Sequence, residues 1–135
     1  MTIRQLDDWT FIGGQIRPEE VAGLAQMGVT LIVNNRPDGE EPGQPLGAEV
    51  ERAASAAGIE YRAIPIIRGI GPADADATNE AIASASGKTL LYCRTGTRSG
   101  LAWALGQSDQ GVAREEIEQK LTNAGVDPTP IAHLL

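Results

Sequence analysis

The chain holds one cysteine, Cys93, in the stretch LLYCRTGTRSGLAWAL (residues 90–105), and its neighbours decide what that thiol can do. Arg94 follows it directly, Arg98 stands five positions on, Thr95, Gly96 and Thr97 lie between them, and Ser99 comes after. An apolar strand leading into a glycine-containing loop and then a helix turns several backbone N–H groups into one small hollow. The positive end of the helix adds to them, so the hollow suits an anion. There the helix end and the Arg98 guanidinium both favour a thiolate over a thiol, whose free pKa is about 8.5. The thiolate is the attacking form, so one arrangement supplies both a nucleophile and a cradle for an anionic substrate. Ser99 is placed to donate a hydrogen bond to that sulfur or to cap the helix. A lone cysteine ending an apolar strand can also be a small buried hydrophobe. An arginine five positions on, past a glycine and two threonines, has no packing rationale and favours the reactive reading.

The flanking elements must present this loop. Thr89 to Tyr92 reads as the strand that delivers Cys93, and Ser99 to Gln107 as the helix behind it, with Leu101, Ala102, Trp103 and Leu105 buried. Upstream, Trp9 to Ile12 reads as a short strand ending at Gly13 and Gly14. Pro18-Glu19-Glu20 opens a helix with Val21, Leu24 and Ala25 on its apolar face and Gly28 as its stop. Thr30 to Val33 is a buried strand by its β-branched content, and NNRPDGEEPGQP (34–45) is a long, turn-rich loop. Helices follow at Gly47 to Ala57, Ala73 to Ala85 and Arg114 to Ala124, a strand at Ile59 to Ile64, and a short last helix within Asp127 to Leu135. Strands alternating with helices predict an α/β fold: one domain over residues 1–135, three layers, a mainly parallel sheet between helices. In such sheets the functional crevice lies beyond the carboxyl ends of the strands. That rule brings the loop after Val33 to the same edge as the loop after Tyr92.

Composition narrows the partners. The chain has 135 residues, 41% hydrophobic and 21% charged, with a net charge of -7 and a pI near 4.6. The balance argues against nucleic-acid or anionic-membrane surfaces and leaves a small anion, met by a local arginine cluster, as the expected ligand. One cysteine cannot form an internal disulfide, and one cysteine with one histidine cannot build a structural zinc site. No metal or cofactor is expected. The N-terminus has no apolar run of signal-peptide type and no segment approaches membrane-spanning length, so a cytoplasmic protein is expected. Oligomeric state is open.

With GGQIRPEEV (13–21), GVTLIVNNRPDGEE (28–41), GIEYRAIPI (58–66) and YCRTGTRS with its trailing LAWAL (92–105), the chain resembles the beta-lactamase-hydrolase-like, phosphatase-like domain family. This is a bacterial branch with the dual-specificity phosphatase fold. The resemblance implies Cys93 as nucleophile and Arg98 as the anion-binding arginine, with Arg94, Thr95, Gly96, Thr97 and Ser99 completing the loop. Two departures stand out. Phosphatases of this superfamily place His before the cysteine and five residues between Cys and Arg; here Tyr92 precedes Cys93 and four residues intervene. The shorter loop resembles the six-residue loop of rhodanese-type sulfurtransferases, whose cysteine carries a persulfide sulfur. A general-acid aspartate is also missing from IPIIRGIG (64–71), which offers Arg68 instead.

The first reading is a cysteine-dependent phosphatase-like hydrolase acting on a phosphate ester, an aryl phosphate above all, because a phenolate leaves without an acid. The alternative is a rhodanese-like sulfurtransferase taking sulfane sulfur from thiosulfate or a persulfide onto Cys93. A third is a non-catalytic anion-binding module, which would need the cradle but not the thiolate. Candidate acids are Asp38, Glu40 and Glu41 by the same-edge argument, and Asp74 and Asp76. Each has a plainer reading as a solvated loop or helix-start carboxylate. Arg36 is a candidate second cation at the crevice mouth, although Pro37-Asp38-Gly39 is equally a turn signal. Trp103 is expected in the core, Trp9 at an edge, and His133 on the surface.

Overall fold

A computed structural model describes residues 2–135 of the chain. Five strands form one mixed sheet in the order β1-β2-β5-β3-β4, with β1 at Ile3–Asp7, β2 at Thr10–Gly13, β3 at Val29–Asn34, β4 at Glu60–Ala63 and β5 at Lys88–Tyr92. All neighbours are parallel except β1 and β2, which pair antiparallel as a hairpin. The strand carrying Cys93 is therefore the central one, hydrogen-bonded on both sides. Pinning its end from both flanks fixes the loop that follows.

Alternation along the strands divides the core into two clusters, one on each face of the sheet. Phe11, Ile32, Leu90 and Tyr92 pack with Val21 and Leu24 of α1 (Val21–Gln26) and Val50 and Ala54 of α2 (Gly47–Ala56). Ile12, Leu31, Val33 and Leu91 pack with α3 (Pro72–Ser84), α4 (Thr97–Asp109) and α5 (Arg114–Asn123). Every residue from Ser99 to Gly106 is buried, as a helix wedged between the sheet and two other helices requires. Its glycines admit those neighbours: a Cβ on Gly100 would press on Val126 and Leu121, and one on Gly106 would collide with Asn79. Trp103 lies in this core at 1% exposure, where truncation to alanine would cost about 3–5 kcal/mol.

The expected elements are present with ends shifted by one or two residues. The helix after the cysteine loop begins two residues early, at Thr97, with Gly96 as its N-cap. The segment after Pro18 is a 3-10 turn (Pro18–Glu20) running into α1, and the last element is a 3-10 helix over Thr129–Leu134. Strand β1 had no sequence expectation. Only Leu6 of IRQLD is buried, so hydrophobic alternation gave it no signal. Trp9, in the turn of the hairpin, is 62% exposed, and His133 is on the surface. Among the described residues no helix is long and apolar enough to cross a membrane. Among the described residues no group of three His, Cys, Asp or Glu side chains is placed to hold a metal ion.

Candidate active site

Cys93 sits where β5 ends, at 1% exposure, and Arg94 and Arg98 of its loop line a cleft of about 470 Å³ together with Glu40 and Glu41. The loop above it is organised by where its carbonyls go. The Arg94 carbonyl accepts from Gln15 N–H at 3.2 Å, the Thr95 carbonyl from Arg4 Nη2 at 2.6 Å, and the Gly96 carbonyl from Gly100 N–H at 2.9 Å. In a trans peptide the N–H points opposite to the C=O, so the outward carbonyls of Arg94 and Thr95 turn the N–H groups of Thr95 and Gly96 inward. Gly96 N–H reaches Cys93 Sγ at 3.1 Å. Gly96 has φ +97°, a left-handed conformation that a side chain would strain, and this lets the chain swing from loop to helix in one residue. Cys93 N–H itself donates to the Gly13 carbonyl at 3.3 Å, closing the base of the loop against β2.

The sulfur's environment sets two effects against each other. Burial works to raise the Cys93 pKa, but the backbone N–H groups of Ser99, Thr95 and Gly96 and the Ser99 hydroxyl favour the thiolate. Together they win, holding the thiol below its ordinary 9.0. The Ser99 hydroxyl has a single proton, shared between the sulfur and Asn35 Oδ1, which lies 2.7 Å away; both residues are buried. Asn35 Nδ2 donates to the Ile64 carbonyl at 2.9 Å, which fixes the amide's orientation and leaves its oxygen facing Ser99. Tyr92, beneath the loop, is a neutral phenol whose pKa burial pushes upward.

Arg98 leans over the cleft from the first turn of α4. Its Nη1 donates to Glu40 Oε2 at 2.8 Å and to the Ile66 carbonyl at 2.9 Å, and its Nη2 to Glu40 Oε1 at 2.8 Å. These take three of the five guanidinium N–H groups. The other two, on Nε and Nη2, form the side-on edge that suits a tetrahedral oxyanion. Arg36 stands behind: its buried guanidinium donates from Nε to Glu40, from Nη1 to Gln15 and from Nη2 to Glu41, each within 3.0 Å. A buried cation costs several kcal/mol unless well paired, roughly, and these three partners offset that cost. The hydrogen bonds from Arg98, helped by Arg36 and the charges of both arginines, outweigh burial and hold Glu40 down from 4.5 to about 2. Glu40 is therefore a carboxylate, not an acid, at neutral pH.

The remaining expected residues divide clearly. Glu40 and Glu41 do reach the cysteine loop, as the same-edge rule requires, but as arginine partners. Asp38 accepts from Gly47 N–H at the start of α2 at 2.8 Å, and Asp74 accepts from Gly71 N–H at the start of α3 at 2.9 Å. Asp76 is exposed on α3. Arg94 points outward with its side chain 63% exposed, 3.8 Å from Glu41. Thr95 and Thr97 are exposed and bond to each other at 3.2 Å. Sequence reasoning missed Gln15, Asn35 and Arg4. Gln15 and Asn35 stood inside motifs quoted for other reasons; Arg4 carried no local signal.

Comparison with known proteins identifies the family and the fold. Residues 2–110 match the family model of the beta-lactamase hydrolase-like protein, phosphatase-like domain. A beta-lactamase hydrolase-like protein of Xylella fastidiosa is 38% identical over 120 residues, covering 87% of this chain. The chain spans about 28% of the length of that relative. A crystal structure from Neisseria meningitidis, provisionally described as a phosphatase, superposes with a TM-score of 0.88 at 32% identity, covering 99% of this chain and 96% of that one. At the level of fold alone, Pseudomonas aeruginosa TpbA, solved as a cysteine-to-serine variant in complex with phosphotyrosine, superposes with a TM-score of 0.69 at 16% identity, covering 96% and 77%. The fold is that of the dual-specificity-like phosphatases, and the chain belongs to the beta-lactamase hydrolase-like, phosphatase-like domain family.

Proposed function

We propose that the domain is a cysteine-dependent phosphatase in which the Cys93 thiolate attacks a phosphate ester. The observation that carries this reading is the ring of inward N–H groups around Cys93 Sγ, with the free edge of Arg98 above it. In the first step an S–P bond forms and the P–O bond to the leaving group breaks, its electron pair departing with the oxygen. The loop amides and Arg98 hold the equatorial oxygens, so catalysis is positional and electrostatic. In the second step water attacks phosphorus, the S–P bond breaks, and phosphate leaves with the thiolate restored.

The substrate class follows from the carboxylates. Glu40 is ionised and paired, Asp38 and Asp74 are helix caps, and the segment after β4 carries Arg68 in place of an acid. Leaving groups that depart without a proton, above all phenolates, are therefore preferred. TpbA, of the same fold, holds phosphotyrosine, an ester of this kind.

One observation favours a second reading. A short Cys-x4-Arg loop without a proton donor is enough for sulfur transfer. There Cys93 takes the sulfane sulfur of thiosulfate, the S–S bond to sulfite breaks with its electron pair leaving on sulfite, and a thiol later accepts the sulfur.

Parallel assays of wild type and Cys93→Ser on p-nitrophenyl phosphate and on thiosulfate with a thiol acceptor separate the two. The phosphatase reading expects phosphate release that falls about 10^4-fold or more in Cys93→Ser, with no sulfur transfer. Cysteine-dependent sulfur transfer with an adduct of about one sulfur mass on the intact protein overturns it in favour of the second reading. Anion binding undiminished in Cys93→Ser, with no turnover by wild type, overturns both.

A further inference from the structure

Arg4 lies on β1, ninety-one residues from the loop it touches. Its Nη2 donates to the Thr95 carbonyl at 2.6 Å and its Nη1 to the Ala124 carbonyl, at the end of α5, at 2.8 Å. The guanidinium fills a slot left by two glycines in left-handed conformations. A Cβ on Gly96 would collide with Nη2, and one on Gly125 would stand 3.2 Å from Nη1. Its Nε–H is buried without an acceptor, so the two carbonyls, and not its own full satisfaction, fix where the guanidinium sits.

The consequence lies in one peptide plane. The Thr95 carbonyl that Arg4 holds and the Gly96 N–H that meets Cys93 Sγ at 3.1 Å belong to the same unit and point in opposite directions. A peptide beside a glycine rotates easily, because glycine accepts positive and negative φ alike. Backbone groups hold the neighbouring planes, Gln15 N–H on the Arg94 carbonyl and Gly100 N–H on the Gly96 carbonyl. Of the three carbonyls, that of Thr95 alone is held by a side chain. A cation on the carbonyl also polarises the peptide and strengthens its N–H as a donor.

We infer that Arg4 is a positioning residue for the reactive sulfur: by fixing the Thr95–Gly96 peptide it keeps the Gly96 N–H aimed at Cys93. This rests on Cys93 being the reactive group of the proposed function. The charged groups around the sulfur are Arg98 from α4, Glu40 and Arg36 from the loop after β3, the outward pair Arg94 and Glu41, and Arg4 from β1. Of these, only Arg4 acts through the peptide bonded to the sulfur.

The pH dependence of Cys93 alkylation by iodoacetamide tests this, since the chain has no other cysteine. Arg4→Met and Arg4→Gln each remove the tie. In either folded variant the alkylation midpoint should rise by about one pH unit, making alkylation roughly tenfold slower at pH 6. Lys120→Met removes a cation from α5 without touching the loop and should leave the profile in place. An unchanged midpoint in a folded Arg4 variant, or an equal shift in Lys120→Met, overturns the inference. Should neither Arg4 variant fold, NMR of wild type decides. The Gly96 amide and Arg4 guanidinium protons must then shift together as Cys93 titrates, and a silent Arg4 overturns the inference. A wild-type midpoint at the free-thiol value instead counts against the proposed function itself, so the two failures are distinguishable.

Discussion

The loop after β5 and the segment after β4 face the same crevice and are built in opposite ways. In the first, the carbonyls of Arg94, Thr95 and Gly96 are all tied down, and the chain passes under Arg98 into a helix buried from Ser99 to Gly106. In the second, the Ile64 and Ile66 N–H groups hold to β3, after which Ile67 stands 76% exposed and Arg68 projects into solvent. The loop side is preorganised, while the side where a leaving group would depart in the proposed reaction is open and offers no carboxyl proton. Catalytic strength in such a site comes from holding charge where it develops, and its selectivity from what leaves unaided.

Removing the cradle's cation should break the contrast most severely. Arg98→Ala is expected to lower kcat/KM on p-nitrophenyl phosphate about 100- to 1,000-fold, and to raise the alkylation midpoint of Cys93, because a positive charge beside the thiolate is lost. A rate within a few-fold of wild type would show that the loop amides suffice without it.

Supplying the missing proton should sharpen the contrast from the other side. Arg68→Asp places a carboxyl on the open segment and is expected to raise the ratio of alkyl to aryl phosphate turnover about tenfold, well short of the 100- to 10,000-fold of a positioned acid. Equal gains on both substrates would point to a change in binding and not in proton transfer.

The smallest effect concerns Glu40. It is ionised throughout the assay range, so the acid limb of the pH–rate profile should stay in place in Glu40→Gln. The stability difference between wild type and Glu40→Gln does depend on pH. A carboxylate whose pKa drops from 4.5 to about 2 on folding contributes fully above 4.5 and progressively less as pH falls toward 2. Melting temperatures measured across that window should converge as the pH falls. A gap that stays constant would mean the ion pair with Arg98 is not its source.

The two regions also differ in how far the sequence revealed them. The cysteine loop was legible because strand, glycine, arginine and helix follow one another within a dozen residues, and local chemistry predicts what such a run does. The arrival of Glu40 and Glu41 was legible too, from the rule that loops at the carboxyl ends of parallel strands share an edge. Their role was not: it depended on Arg36 being buried beside them, and Pro37-Asp38-Gly39 read as well for a surface turn. Asn35 stood in a quoted motif, but its pairing with Ser99 crosses sixty-four residues. Strand β1 escaped altogether, since a five-residue strand with one buried side chain falls below what periodicity detects, and Arg4 escaped with it.

The tie from β1 has a kinetic consequence as well. Arg4 joins the cysteine loop and the end of α5 across 91 and 120 residues of chain, among the longest separations the molecule closes. Closing spans of that length is entropically costly, and contacts of this kind form late when a chain condenses. A refolding population can therefore complete its central parallel strands and still carry a loop whose middle peptide turns freely. Its sulfur would alkylate at low pH only once the first strand had docked, which makes the lone thiol a clock for the last stage of assembly.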